Sequence, residues 1–89
     1  MSVAETIRAK LSRRFQPLTL AVIDDSARHK DHQHTHPNGE SHFQVHIVAA
    51  AFAGLSRIER QRLVYETLAE ELNGPVHALN VKAEAPGAP

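Results

Sequence analysis

At 89 residues, with 42% hydrophobic and 22% charged side chains, the chain suffices for one hydrophobic core and is too short for two. Ten Lys and Arg balance ten Asp and Glu, which argues against bulk electrostatic capture of nucleic acid, and the lack of cysteine excludes disulfides, thiolate metal ligands and a cysteine nucleophile. No apolar run approaches the roughly 18 residues that span a bilayer, and Met1 to Ser12 alternates charge and apolarity where a signal peptide would be uniformly apolar, so a cytoplasmic location is expected.

Ser2 and Glu5 have the spacing of a capping box, so a first helix is expected to begin there. Val3, Ile7, Leu11 and Phe15 recur every four residues as one apolar stripe, with Arg8, Lys10, Arg13 and Arg14 largely elsewhere, and Pro17 stops the helix. Leu18 to Asp25 is aliphatic and β-branched and reads as a first strand, in which Leu18, Leu20 and Val22 alternate with Thr19, Ala21 and Ile23. From Ser26 to Ser41 no apolar period survives, and Pro37-Asn38-Gly39 is a turn signature, so a long polar loop is expected. His42 to Val48 alternates cleanly, Phe43, Val45 and Ile47 facing one way and His42, Gln44 and His46 the other, and should pair antiparallel with the first strand.

Ser56 and Glu59 form a second capping box, opening a helix expected to run to about Leu72 with Ile58, Tyr65, Leu68, Ala69 and Leu72 on its buried face. Asn73-Gly74-Pro75 ends it. Val76 to Ala83 reads as a third strand, and Glu84 to Pro89, with two prolines and a glycine, as a flexible tail beyond a single domain of residues 1–83. The order α-β-β-α-β gives an α+β fold, a three-stranded sheet with both helices on one face and a β-α-β crossover. Leu20, Val22, Phe43, Val45, Ile47, Leu68, Leu72 and Leu79 are the expected core.

The chemistry is concentrated in histidine: seven in all, of which His29, His32, His34, His36 and His42 lie within fourteen residues. In an extended segment His32, His34 and His36 would project to one side and could share a borderline metal ion, although a solvated insertion without ligand is the commoner account of such a run. His42 and His46 are ordinary strand residues unless a partner is brought close. His77 shares an expected strand face with Leu79 and Val81, so its ring needs either a hydrogen-bond partner or a ligand. In the second helix Arg57, Arg60 and Arg62 crowd the N-terminal half and Glu66, Glu70 and Glu71 the C-terminal half, opposite to what the macrodipole favours; the arginines are either a solvated face or a phosphate contact. No nucleophile-elbow or phosphate-loop glycine pattern is present, so catalysis has no support.

The run from Glu40 to Val81 carries E-S-H-F entering the second strand, F-A-G-L-S-R-I-E-R-Q-R-L-V-Y at the helix start, L-A-E-E-L at its end and V-H-A-L in the third strand. These ordered matches, with Asp25-Ser26-Ala27-Arg28-His29, resemble BolA-like proteins across nearly the whole chain. The resemblance implies a class II KH-like fold without enzymatic activity, partnership with a monothiol glutaredoxin, and a shared 2Fe-2S cluster. Some bacterial members of that family act as DNA-binding transcription regulators. By motif the cluster ligands fall on His29 and His77, with His42 as a nearby reserve ligand. The alternative DNA-binding role would use Arg57, Arg60 and Arg62 with the basic face of the first helix. The loop between His29 and Glu40 is longer than in compact relatives, and no G-x-x-G clamp is present, since Gly54 is followed only by Gly74. Since the chain has no thiolate, a partner must bring the remaining ligands. The isolated protein is expected to hold no cluster, and to be a monomer or weak homodimer that does not engage membranes.

Overall fold

A computed structural model describes residues 2–25 and 41–87. The segment 26–40, with His29, His32, His34 and His36, lies outside the described residues. Helix α1 spans Val3–Phe15 behind a complete capping box, in which Ser2 accepts from the Glu5 backbone and Glu5 from that of Ser2. These bonds hold the Glu5 carboxyl below its usual range. The four-residue stripe buries Ile7, Leu11 and Phe15, with Val3 packed against them. Gln16 takes the left-handed cap conformation (φ 48°) and donates its N–H to Ser12, and Pro17 then forbids continuation.

Strands β1 (Thr19–Asp24), β2 (His42–Val48) and β3 (Ala78–Glu84) form one sheet in the order β1-β2-β3. The β1–β2 pairing is antiparallel, setting Val22 opposite Val45; the β2–β3 pairing is parallel, setting Val45 beside Val81. Phe43, Val45, Ile47, Val81 and Ala83 point into the core beneath the helices, while His42, Gln44 and His46 lie on the other face. The α+β class and the α-β-β-α-β order are as expected.

Details of the core differ from the reading of hydropathy. Phe43, Val45, Ile47 and Leu68 are buried, whereas Leu20, Val22, Leu72 and Leu79 are half-buried at its margin, the first two because β1 is an edge strand. Leu18 precedes β1 and is 74% exposed. Phe52, in the 3-10 turn Ala50–Phe52, is fully buried and packs on Phe15 with ring centroids 4.9 Å apart.

The second helix is two pieces, α2 (Arg57–Thr67) and α3 (Ala69–Leu72). At the break, Thr67 Oγ1 donates to the Leu63 carbonyl at 2.8 Å and the Leu68 N–H is shared between Glu66 and Val64, a side-chain intrusion of the kind that bends helices. The buried face is Val64, Leu68 and Glu71, and Ile58, Tyr65 and Ala69 point outward, contrary to expectation. Hydropathy misplaced the stripe because the inward positions of the first turns are polar. Arg60 and Gln61 sit there, donating to the Leu55 and Val81 carbonyls. Glu71, only 8% exposed, continues the stripe because Lys10 Nζ of α1 lies 2.8 Å from its Oε2 and 3.0 Å from Glu70 Oε1. The hydrogen bond to Glu71, then that to Glu70, raises the Lys10 ammonium above its usual pKa.

The third strand also shifts. It begins at Ala78 and includes Glu84, which pairs with Val48 in the β2 register and so does not belong to a tail.

Candidate metal-binding end of the sheet

The site begins with Ser41, a buried residue just before β2. Its carbonyl accepts the N–H groups of His77 (2.8 Å) and Ala78 (3.2 Å), clamping the entry of β3 to the entry of β2. Its hydroxyl is hydrogen-bonded to His42 Nδ1 at 2.8 Å. One small polar residue therefore fixes the backbone of one histidine and the ring of the next. The position is buried because it follows the inward-facing alternation of β2, and its hydroxyl needs the partner it finds.

His42 opens β2, where it pairs with Ala78, and His77 immediately precedes Ala78. The parallel register thus brings two of the expected ligands to one end of the sheet. His77 is not on the strand face of Leu79 and Val81, as its spacing suggested. It lies one residue outside β3 and is exposed, so no burial of its ring needs explaining. His29, the other expected ligand, lies outside the described residues, as do His32, His34 and His36. Among the described residues no group of three or more His, Asp or Glu side chains is placed to hold a metal ion. Two imidazoles from this end fit half of a donor set and need outside ligands for the rest.

The second histidine of β2, His46, has a different role. His46 Nε2 donates to Glu84 Oε1 at 2.8 Å, tying the middle of β2 to the end of β3 on the open face, and this hydrogen bond holds the Glu84 carboxyl below its usual pKa.

The three arginines do not form one patch. Arg57 and Arg60 line a cleft of about 350 Å³ between α2 and β3, together with Gln61, Asn80, Lys82 and Glu84. Arg62 lies on the outward face of α2 beside Ile58, Tyr65 and Glu66. Arg60 is partly committed to the fold, donating Nη1 to the Leu55 carbonyl at 2.9 Å.

Sequence reasoning quoted E-S-H-F without assigning Ser41 a role. The signal was there: a serine immediately before an alternating strand, on the parity of its buried positions.

Comparison with known proteins places this geometry in context. The family model of BolA-like proteins matches residues 11–88. An uncharacterized protein in the cobS 5′ region of Sinorhizobium sp. is 47% identical over all of this chain and 97% of its own length. The DNA-binding transcriptional regulator BolA of Escherichia coli K12 is 44% identical over 89% of this chain and 71% of its own. BolA-like protein 1 of Homo sapiens is 43% identical over 94% of this chain, which spans only 58% of that longer relative. Among solved structures, BolA1 of Arabidopsis thaliana superposes with a TM-score of 0.89 at 35% identity, covering 100% of this chain and 98% of that one. With its topology and these matches in agreement, the chain belongs to the BolA-like protein family.

Proposed function

We propose that this protein is a non-enzymatic cytoplasmic partner of a monothiol glutaredoxin, and that the two co-ligate a bridging 2Fe-2S cluster in iron-sulfur trafficking or iron regulation. The observation that carries this reading is the placement of His42 and His77 at one sheet end, clamped through Ser41. His77 serves as one ligand, held by the backbone bond to Ser41. His29, with His42 at the start of β2 in reserve, serves as the other.

When bound, the cluster supplies one-electron redox and iron-sulfur transfer chemistry. This chain's residues contribute the imidazoles and their orientation. The Ser41 hydroxyl restrains the His42 ring in the manner of an outer-shell partner. The donor set suits a shared cluster, because a chain without thiolates must borrow them. Imidazole in place of thiolate also reduces the negative charge on a cluster and raises its potential. The protein is therefore expected to hold no cluster by itself.

The name of the Escherichia coli relative favours a second reading, DNA binding through the Arg57, Arg60 and Lys82 cleft and the basic residues of α1. Cluster reconstitution with a monothiol glutaredoxin, followed by visible circular dichroism, separates the two. A new spectrum in the mixture that neither protein gives alone supports the cluster reading. Its absence, with DNA affinity that falls steeply as salt rises, supports the regulator.

A further inference from the structure

Strand β3 is an edge of the sheet, and its outer side is turned toward α2. The Ala78 N–H and the Glu84 carbonyl bond toward β2, to the Ser41 carbonyl and the Ala49 N–H, so alternation turns the main-chain groups of Leu79, Val81 and Ala83 the other way. Two carbonyls show this direction: Tyr65 Oη donates to that of Leu79 at 3.3 Å, and Gln61 Nε2 to that of Val81 at 3.4 Å. Both bonds are longer than the ordinary ~2.7–3.0 Å. The N–H groups of Val81 and Ala83 meet no acceptor of β2 or α2 among the described residues.

The cleft of about 350 Å³ described above runs along this edge, between the end of β3 and the first turns of α2. Its charged groups are Arg57, Arg60, Lys82 and Glu84, and Glu84 already accepts from His46, so the cleft is cationic in sum. Arg60 gives Nη1 to the Leu55 carbonyl, but its Nε is buried with no hydrogen-bond partner among the described residues. Edge and cleft are therefore both rich in donors. An unpaired strand edge is a template for another strand, and this one is guarded only by two long side-chain bonds.

We propose that this cleft takes an extended acidic segment of a partner protein as a fourth strand on the β3 edge. The segment's carbonyls accept from the Val81 and Ala83 N–H groups, one of its own N–H groups takes over the Val81 carbonyl from Gln61, and its carboxylates meet Arg57 and Arg60. Main-chain pairing supplies affinity, and the arginines select acidic side chains. A polypeptide suits this edge better than a phosphate backbone does. It brings donors and acceptors in alternation, whereas phosphates bring acceptors alone and set them against the Val81 carbonyl and the Glu84 carboxylate. DNA, to which the second reading above gives this cleft, is the competing occupant. None of these residues belongs to the His42–His77 end, so the inference goes beyond the cluster reading and does not depend on it.

The test is titration of the isotope-labelled full chain with an octapeptide of alternating glutamate and valine up to about 1 mM, followed by amide chemical shifts. The further probes are its lysine-valine counterpart, the glutamate peptide N-methylated at every residue, and a single-stranded DNA dodecamer. The glutamate peptide is expected to shift the Val81 and Ala83 amides and those of the first turns of α2, with a Kd on the order of 100 µM. The lysine and N-methylated peptides should bind about tenfold more weakly or not at all. Arg57→Glu, at an exposed position and with its fold verified by the same spectrum, should lose about tenfold in affinity for the glutamate peptide. No shift at the Val81 and Ala83 amides, equal binding of the lysine or N-methylated peptide, or an unchanged affinity in Arg57→Glu would each overturn the proposal. Tighter binding of the DNA at the same amides would overturn it in favour of nucleic acid.

Discussion

The His77 N–H donates to the Ser41 carbonyl at 2.8 Å, joining two residues far apart in sequence whose neighbours, His42 and Ala78, are partners in the β2–β3 ladder. The bond lies on backbone atoms, so it holds whatever side chain occupies position 77. His77→Ala should therefore leave the fold intact and act on the cluster alone. In the mixed complex with a glutaredoxin, the visible circular dichroism should change form or vanish. His29→Ala should do less, because His32, His34, His36 or His42 can take its place. A spectrum untouched by His77→Ala and destroyed by His29→Ala would reverse this ranking.

Phe43 and Phe52 are 2% and 0% exposed, and replacing either with alanine should cost about 3–5 kcal/mol in denaturant unfolding. Ile58→Ala should cost under about 0.5 kcal/mol in the monomer, because that side chain faces solvent. A large loss at Ile58 would mean that α2 is rotated from the orientation described above.

Lys10 supports a buried carboxylate at Glu71, whose Oε1 has no hydrogen-bond partner among the described residues. Lys10→Ala should lower the melting temperature, since it strands a charge that burial makes costly. In a Glu71→Gln background the same substitution should matter less. Equal losses in both backgrounds would show that the pair is not coupled.

Glu84 has its pKa lowered in the folded protein, chiefly by the hydrogen bond from His46. A depressed folded pKa contributes stability that is present above the unfolded carboxylate value and is lost as pH falls through the folded one. Acidification below the ordinary carboxylate range should therefore loosen the β2–β3 tie. Glu84→Gln should flatten that part of the stability profile. An unchanged acid limb in the variant would remove Glu84 as its source.

Residues 26–40 contain no large apolar side chain, so deleting His32 to Thr35 should barely move the melting temperature without metal. A shift of many degrees would reveal a structural role for the histidine run.

Sequence alone determined the α-β-β-α-β order, though not the break between α2 and α3 or the 3-10 turn at Phe52. Both capping boxes, the four-residue stripe of α1 and the two-residue alternation of β2 are local signals, because each depends on neighbours within a turn or a strand. It also limited the chemistry, since a chain without cysteine can offer a cluster only imidazole, carboxylate or hydroxyl. The tertiary structure decided the rest. The buried face of α2 was illegible because Arg60, Gln61 and Glu71 occupy inward positions, and what makes them acceptable there is a carbonyl of a preceding turn, a carbonyl of β3 and a lysine of α1. Glu84 read as part of a tail because nothing near it in sequence requires a strand; its place comes from pairing with Val48 and from His46. The meeting of His42 and His77 depends on the parallel register of two strands separated by the whole α2–α3 crossover, and register is a property of packed faces rather than of any local run.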